Sequence, residues 1–146
     1  MGQNSGQSSG QSSDQGSLHG SGSAAPHASA ARLSTHVLDL VSGRPARGVE
    51  VELFRIDADG ARTRLARRTT NADGRTDDPL LAGGAVETGT YELVFHMGAY
   101  FHATGASAGT PAFLDEVPVR VALAQGGHYH VPLLCSPWAY STYRGS

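Results

Sequence analysis

The amino-acid sequence predicts an all-β sandwich, and two observations carry this prediction. From Leu33 onward the chain contains seven or eight short segments rich in β-branched and aromatic residues, several of which alternate apolar and polar positions. Gly, Pro, Asn and Asp stand between these segments, and no long stretch repeats its apolar residues with the helical period. Short strands joined by tight turns favour two packed sheets with Greek-key connections.

The first predicted strand is Leu33–Val41, which ends in the turn sequence Ser-Gly-Arg-Pro. Thr35 and Val37 point to one face of this strand, and His36 points to the other together with two leucines. Both faces are largely apolar, so we expect one to pack in the core and the other to be covered by a partner such as a second subunit. His36 then lies on the partner-facing surface.

The rest of the chain continues the same pattern of strands and turns. Asp57–Gly60 and Asn71–Arg75 are predicted turns, because an Asp-Gly pair suits the positive φ of a tight turn. Gly98–Gly105 has a glycine at each end and is compatible with one short helix. The remaining predicted strands are Val49–Ile56, Arg62–Thr70, Thr90–Phe95, Val117–Leu123, Gly127–Cys135 and Ala139–Gly145.

The composition divides the chain into a tail and one domain. Residues 1–30 are mostly Gly, Ser and Gln, which cannot bury enough apolar surface to offset the entropy cost of ordering, so we expect a disordered tail. Residues 31–146 are long enough for one folded domain with its own core.

Charge and composition exclude several function classes. A formal net charge of −2 gives no electrostatic reason to bind nucleic acid or an anionic membrane surface. A single cysteine, Cys135, excludes an internal disulfide framework, and no apolar run is long enough to span a membrane. The first residues lack the basic start and apolar core of a secretory signal, so we expect a cytoplasmic protein.

Histidines near the end of the chain raise the question of a metal site. His128 and His130 lie two residues apart in a predicted strand and therefore share a face. Together with His36 they would provide a three-histidine zinc site. Because no Cys, Asp or Glu supports this set, the sequence favours a site without metal.

Arg75 and the histidines suggest hydrolysis. A planar guanidinium binds carbonyl-rich or partly anionic ligands, and an imidazole that titrates near neutral pH can activate water. The serines and threonine near the end of the chain lack the Gly-x-Ser-x-Gly elbow, which argues against a nucleophilic serine. The set is suited to metal-free hydrolysis of a polar molecule that is rich in carbonyl groups.

Several motifs together resemble one family. Leu-Ser-Thr-His-Val-Leu-Asp at 33–39, Thr-Asn-Ala-Asp-Gly-Arg-Thr at 70–76, His-Tyr-His-Val-Pro-Leu-Leu at 128–134 and the final Tyr-Arg-Gly-Ser at 143–146 are similar to motifs of the 5-hydroxyisourate hydrolases. These are the enzymatic branch of the transthyretin-like family. The resemblance extends from Leu33 to Ser146.

The resemblance implies a fold, a reaction and an assembly. It implies a transthyretin-like Greek-key sandwich of two four-stranded sheets with one short helix. It also implies a homotetramer whose sites lie at a subunit interface, in a channel through the tetramer. The implied reaction is hydrolysis of 5-hydroxyisourate to 2-oxo-4-hydroxy-4-carboxy-5-ureidoimidazoline in urate degradation, without a cofactor. The alternative is a transthyretin-type carrier that binds a small ligand in the same channel without catalysis.

The resemblance also implies site residues. His36, Arg75 and His130 match the catalytic positions, with either histidine as the general base. The substrate-binding positions match Tyr143, Arg144, Gly145 and Ser146, and whether the terminal carboxylate takes part in the chemistry stays open.

Overall fold

The computed structural model describes residues 31–106 and 109–146, so the predicted tail lies outside the described residues. The element order is β1 (Arg32–Asp39), β2 (Arg44–Pro45), β3 (Glu50–Ile56), β4 (Arg62–Thr69), β5 (Leu81–Ala82), β6 (Gly89–His96), α1 (Met97–Thr104), β7 (Glu116–Leu123), β8 (His128–Cys135) and β9 (Tyr140–Thr142). A single 3-10 turn, Gly83–Ala85, follows β5.

Two sheets form the sandwich, as predicted. One sheet has the strand order β4-β3-β6-β7, with antiparallel neighbours throughout. The other has the order β2-β1-β8-β9, and β5 also pairs with β1. The prediction of four strands in each sheet is therefore wrong for this second sheet, which has five. The extra strand arises because both two-residue strands, β2 and β5, pair with β1.

The core lies between the sheets, and β1 shows how the sequence produces it. Along β1 the buried residues alternate with partly exposed ones, so that Leu33, Thr35 and Val37 face the other sheet. Thr35 satisfies its buried hydroxyl by donating to the Val131 carbonyl over 2.7 Å. The other sheet contributes Val51, Leu53, Leu93, Phe95, Val117 and Val119 to the same core.

The predicted short helix is present as α1, shifted by one residue. The helix buries its own Met97 and Phe101 side chains, and Gly105 ends it with a φ of 79°. Gly98 donates its N–H to the Asp115 carbonyl over 2.8 Å, and a Cβ at this position would overlap the Asp115 side chain. A search of the described residues for a helix long and apolar enough to cross a membrane found none.

The last strand is shorter than the predicted Ala139–Gly145. β9 pairs with β8 only over Tyr140–Thr142, after which the chain leaves the sheet. It rejoins the sheet at Gly145, which forms an isolated antiparallel β-bridge with His130. The sequence pattern did not reveal this departure because Tyr143 and Arg144 are compatible with a strand.

β1 ends at Asp39, two residues before the predicted end, because the Asp39 carboxylate organises the turn that follows. Oδ1 accepts hydrogen bonds from the N–H groups of Val41 and Ser42 at 2.7 and 3.2 Å. Oδ2 accepts the Tyr100 hydroxyl at 2.9 Å and thereby ties α1 to this turn. Asp39 is only 3% exposed.

We predict that Asp39→Ala lowers the free energy of unfolding by roughly 2 to 4 kcal/mol, because it leaves two backbone donors and the Tyr100 hydroxyl without their acceptor. Urea denaturation measures this loss. Asp57→Ala, in the exposed β3–β4 turn, is the control and should change stability by less than about 0.5 kcal/mol. Equal stability of Asp39→Ala and the parent would contradict the assignment.

The same variant has a pH signature. Burial by itself would raise the pKa of Asp39, but the hydrogen bonds from Tyr100, Val41 and Ser42 outweigh burial and lower this pKa below its ordinary value. A lowered pKa stabilises the fold above the unfolded-state pKa of about 3.9, and this contribution is lost as the pH falls through the folded-state value. The stability difference between parent and variant should therefore shrink in acid.

Candidate active site

His36 and His130 lie on the outer face of the five-stranded sheet, on adjacent strands. β1 and β8 run parallel, with Ser34 opposite His130 and His36 opposite Pro132. Residues of one strand that are two apart share a face, so Ser34 and His36 point the same way as His130. The sheet therefore brings together two of the predicted catalytic residues from opposite ends of the domain.

Arg75 reaches this face because the turn 71–75 docks against β1. The Val37 N–H donates to the Gly74 carbonyl over 2.8 Å, and the backbones of His36 and Arg75 form an isolated antiparallel β-bridge. Gly74 has a φ of 71°, and a Cβ there would overlap the Val37 carbonyl oxygen. Only glycine fits this close approach, which explains the Asp-Gly-Arg part of the motif.

Thr70 and Asn71 fix the beginning of the same turn. The buried Thr70 hydroxyl donates to the Ala46 carbonyl over 2.6 Å and accepts the Val49 N–H over 2.9 Å. The Asn71 side-chain oxygen accepts the N–H of Asp73 at 2.9 Å, as in an Asx-turn, and the N–H of Arg75 at 3.3 Å. The motif is thus a rigid loop that presents Arg75 beside His36.

Gly145 packs directly on His130. Its N–H donates to the His130 carbonyl over 2.8 Å. A Cβ at Gly145 would lie 2.6 Å from His130 Cδ2, which is closer than side-chain atoms approach one another. Because Gly145 has no side chain, its backbone can pack directly against the imidazole ring of His130.

Within one chain, the Tyr143 and Arg144 side chains lie toward β7 rather than toward the two histidines. The Arg144 guanidinium stacks over the ring of Tyr129, 4.8 Å from its centroid, and Tyr129 points to the opposite face of β8 from His130. Tyr143 is exposed and borders a groove beside β7. An open cavity of about 480 Å³ is lined by Arg32, His128, Arg144, Gly145 and Ser146.

His128 does not join the other two histidines in a metal site. Its Nε2 accepts a hydrogen bond from Arg32 Nε over 3.0 Å. Among the described residues, the three side chains whose ligand atoms converge within 4.8 Å are Glu50, Glu52 and His96, on the other sheet. Arg67 and Arg64 bind these two glutamates, so that group is a surface ion-pair network.

The surroundings of both histidines favour their neutral form. Burial lowers the pKa of His36, and the positive charge of Arg75 lowers it further, although a hydrogen bond to the Asp73 backbone and the Asp73 charge oppose the change. Burial is also the largest cause of the lowered pKa of His130, followed by the charges of Arg75 and His36. Two neutral imidazoles beside a guanidinium can accept protons and stabilise negative charge at one place.

Comparison with known proteins agrees with these features. A family model described as the HIUase/Transthyretin family matches residues 33–145. The chain belongs to this family. The match starts at the first motif and includes the turn of Arg75, both histidines and Gly145.

Curated relatives in the family are similar over nearly their whole length. The chain is 54% identical to the 5-hydroxyisourate hydrolase of Mesorhizobium japonicum over 119 residues, which is 82% of this chain and 95% of the relative. It is 52% identical to 5-hydroxyisourate hydrolase 2 of Rhizobium meliloti over 120 residues, which is 82% of this chain and 99% of the relative.

Solved structures of the family share the fold. The 5-hydroxyisourate hydrolase of Klebsiella pneumoniae has a TM-score of 0.64 at 36% identity, with 80% of this chain and 94% of that chain covered. Sea bream transthyretin in complex with thyroxine has a TM-score of 0.70 at 29% identity, with 78% of this chain and 94% of that chain covered.

Sequence reasoning missed two residues that contact the histidines. Ser34 Oγ lies 2.9 Å from His130 Nδ1, and Arg32 donates to His128. A signal for Ser34 was present, since it stands two residues before His36 and therefore on the same face. Its contact with His130 depends on the register of β1 against β8, which the sequence does not reveal.

We predict that Arg75→Gln raises the pKa of both His36 and His130, because it removes a cation that disfavours their protonation. Titration of the histidine side chains by NMR measures both values. Arg67→Gln, on β4 of the other sheet, removes an equal charge and should leave both unchanged. Unchanged values in Arg75→Gln would contradict the proximity of the three side chains.

Proposed function

We propose that this chain hydrolyses 5-hydroxyisourate to 2-oxo-4-hydroxy-4-carboxy-5-ureidoimidazoline in urate degradation. The observation that carries the proposal is the group formed by His36, Arg75 and His130 on one sheet face. Curated 5-hydroxyisourate hydrolases that are about half identical to the chain support the same reaction. We further propose that the enzyme needs no cofactor and acts in the cytoplasm.

The proposed reaction uses the three side chains in different roles. His36 or His130, held neutral, takes a proton from water while the water oxygen bonds to the lactam carbonyl carbon. The guanidinium of Arg75 binds the carbonyl oxygen, on which negative charge develops. The C–N bond of the ring then breaks, and the nitrogen leaves with the proton that the imidazole returns.

Tyr143, Arg144, Gly145 and Ser146 are proposed to bind and enclose the substrate. Gly145 lies against His130, and the cavity that Arg144 and Ser146 line begins beside it. Because Tyr143 and Arg144 lie away from His36 within one chain, their contribution requires either a movement of the last residues or the approach of another subunit.

We propose that the enzyme is a homotetramer with its sites at a subunit interface. The face that carries His36 and His130 is only partly covered within the described chain, since Leu38 and Leu134, which also lie on it, are half-buried. Large apolar residues beside it are exposed in the β1–β2 turn and the β8–β9 loop, including Val41 at 56% and Trp138 at 59%. A second copy of the chain would bury both.

The first test follows 5-hydroxyisourate, generated in place from urate and urate oxidase, by ultraviolet absorbance. The purified protein should accelerate its decay, and His36→Ala, Arg75→Ala and His130→Ala should each lower kcat/KM by about 100-fold or more. His102→Ala and Arg67→Ala are matched controls, since both side chains are exposed and distant from the site. Decay at the spontaneous rate with the parent protein would refute the function.

The same assay distinguishes the alternatives. Activity should survive exhaustive chelation, because the proposed chemistry uses no metal; loss of activity that zinc restores would favour a site of His36, His128 and His130. A protein that binds small aromatic ligands but leaves the decay unchanged would be a carrier.

The assembly has its own test. Light scattering after size exclusion should give four times the 15.2 kDa of one chain. Val41→Glu buries a charge in the proposed interface, so it should dissociate the tetramer and abolish most activity. Leu65→Glu, at a side chain that is 42% exposed on the other sheet, is the matched control and should retain both. A monomeric parent protein with full activity would contradict the interface site.

A further inference from the structure

The Ser34 hydroxyl contacts one of the two imidazoles that are proposed to act on water. Ser34 Oγ lies 2.9 Å from His130 Nδ1, across the parallel pair of β1 and β8. With Nδ1 engaged, Nε2 is the ring nitrogen of His130 that is available to a ligand. The hydrogen bond therefore decides whether that available nitrogen carries a proton or a lone pair.

The surroundings of Ser34 provide a second acceptor for its proton. Ser34 Oγ lies 3.5 Å from the Tyr129 carbonyl oxygen, which can accept a weak hydrogen bond from the hydroxyl. When the hydroxyl points to Tyr129, Oγ is free to accept a hydrogen bond from Nδ1–H of His130. The ring is then the Nδ1–H tautomer, and Nε2 carries the lone pair.

Arg75 disfavours the charged form of the ring. Its guanidinium has only donors, and its positive charge lowers the pKa of His130 further than burial alone does. The neutral ring carries one N–H and one lone pair. The contact with Ser34 therefore decides which of the two nitrogens holds the proton.

His36 differs from His130 in its access to water. His36 Nε2 is buried and has no hydrogen-bond partner among the residues that the structure describes. His130 is half-buried, and its Nε2 is not among the buried side-chain atoms of the described residues that have no partner. A water molecule that attacks the substrate can therefore meet His130 Nε2 without disturbing the packing around β1.

We propose that Ser34 is a positioning residue that holds His130 in the Nδ1–H tautomer, so that His130 Nε2, rather than His36, takes the proton from the attacking water. In this step the water O–H bond breaks, the O–C bond to the substrate carbonyl forms, and His130 becomes an imidazolium whose Nδ1–H still donates to Ser34. The imidazolium then returns its proton to the leaving nitrogen. The catalytic half rests on the proposed hydrolysis, whereas the tautomer does not.

The tautomer is measured without substrate. Two-bond proton–nitrogen correlations of protein with labelled histidine, recorded at about pH 8, where ordinary imidazoles are neutral, distinguish Nδ1–H from Nε2–H rings. The seven histidines are assigned by single substitution. We expect His130 to show the Nδ1–H pattern in the parent and in Ser34→Thr, which keeps a hydroxyl, and a mixture of tautomers in Ser34→Ala.

Kinetics test the catalytic half. We expect Ser34→Ala to lower kcat by roughly 10- to 100-fold with little change in KM, which is less than removal of a whole general base costs. Ser34→Thr should restore most of kcat, which a purely structural loss at this position would not predict. Thr63→Ala, which removes an exposed hydroxyl from β4 on the other sheet, is the control and should retain the parent kcat.

The outcomes separate the two proposals. An Nε2–H ring for His130 in the parent, or a kcat of Ser34→Ala equal to that of the parent, overturns the role of Ser34 even when hydrolysis is confirmed. An inactive parent protein whose His130 is Nδ1–H, with Ser34→Ala shifting the tautomer, refutes the function and the choice of base but supports the positioning by Ser34.

Discussion

β1 and β8 run parallel over eight paired residues at the centre of the five-stranded sheet, and this pairing fixes both the core and the candidate site. On the inner face it places Leu33 and Val37 beside Val131 and Leu133, all of them buried. On the outer face it places Ser34 and His36 beside His130. Because side chains alternate along a strand, a shift of one residue would exchange the two faces and destroy both.

The turn 71–75 adds the third group, Arg75, whose positive charge acts on both histidines. The positive charge of Arg75 lowers the pKa of both imidazoles, because protonation of either histidine would place a second cation beside the guanidinium. The site therefore favours the neutral form of both imidazoles next to a permanent cation, so that in the proposed reaction a base is available before water attacks and Arg75 lies near the oxyanion that then develops. The hydrogen bond of the buried Thr70 and the left-handed conformation of Gly74 fix the turn that positions Arg75.

Much of this could be predicted from the sequence, and the limits have physical causes. The alternation of side chains along a strand predicted which residues of β1 share a face. The glycines in 98–105 and 71–75 indicated the helix and the turn. Pairing between strands that are far apart in the chain is not encoded in local pattern. Neither the contact of Ser34 with His130, 96 residues away, nor the pairing of β5 with β1 could therefore be foreseen. The sequence did not reveal that the chain leaves the sheet at Tyr143 for the same reason. The path of the last residues depends on the β-bridge between Gly145 and His130, which is a contact between distant parts of the chain.

The separation of faces also explains how one family can contain both a hydrolase and a thyroxine-binding protein with the same fold. The residues that hold the sheets together, such as Leu33 and Thr35, point inward. The residues proposed to act, such as Ser34 and His36, point outward from the same strand and contribute little to the core. Substitution on the outer face can therefore change the chemistry without repacking the sandwich, so the fold alone does not identify the activity. In this chain the outer face carries two neutral bases and a guanidinium, which are groups suited to hydrolysis rather than to passive binding of an apolar ligand.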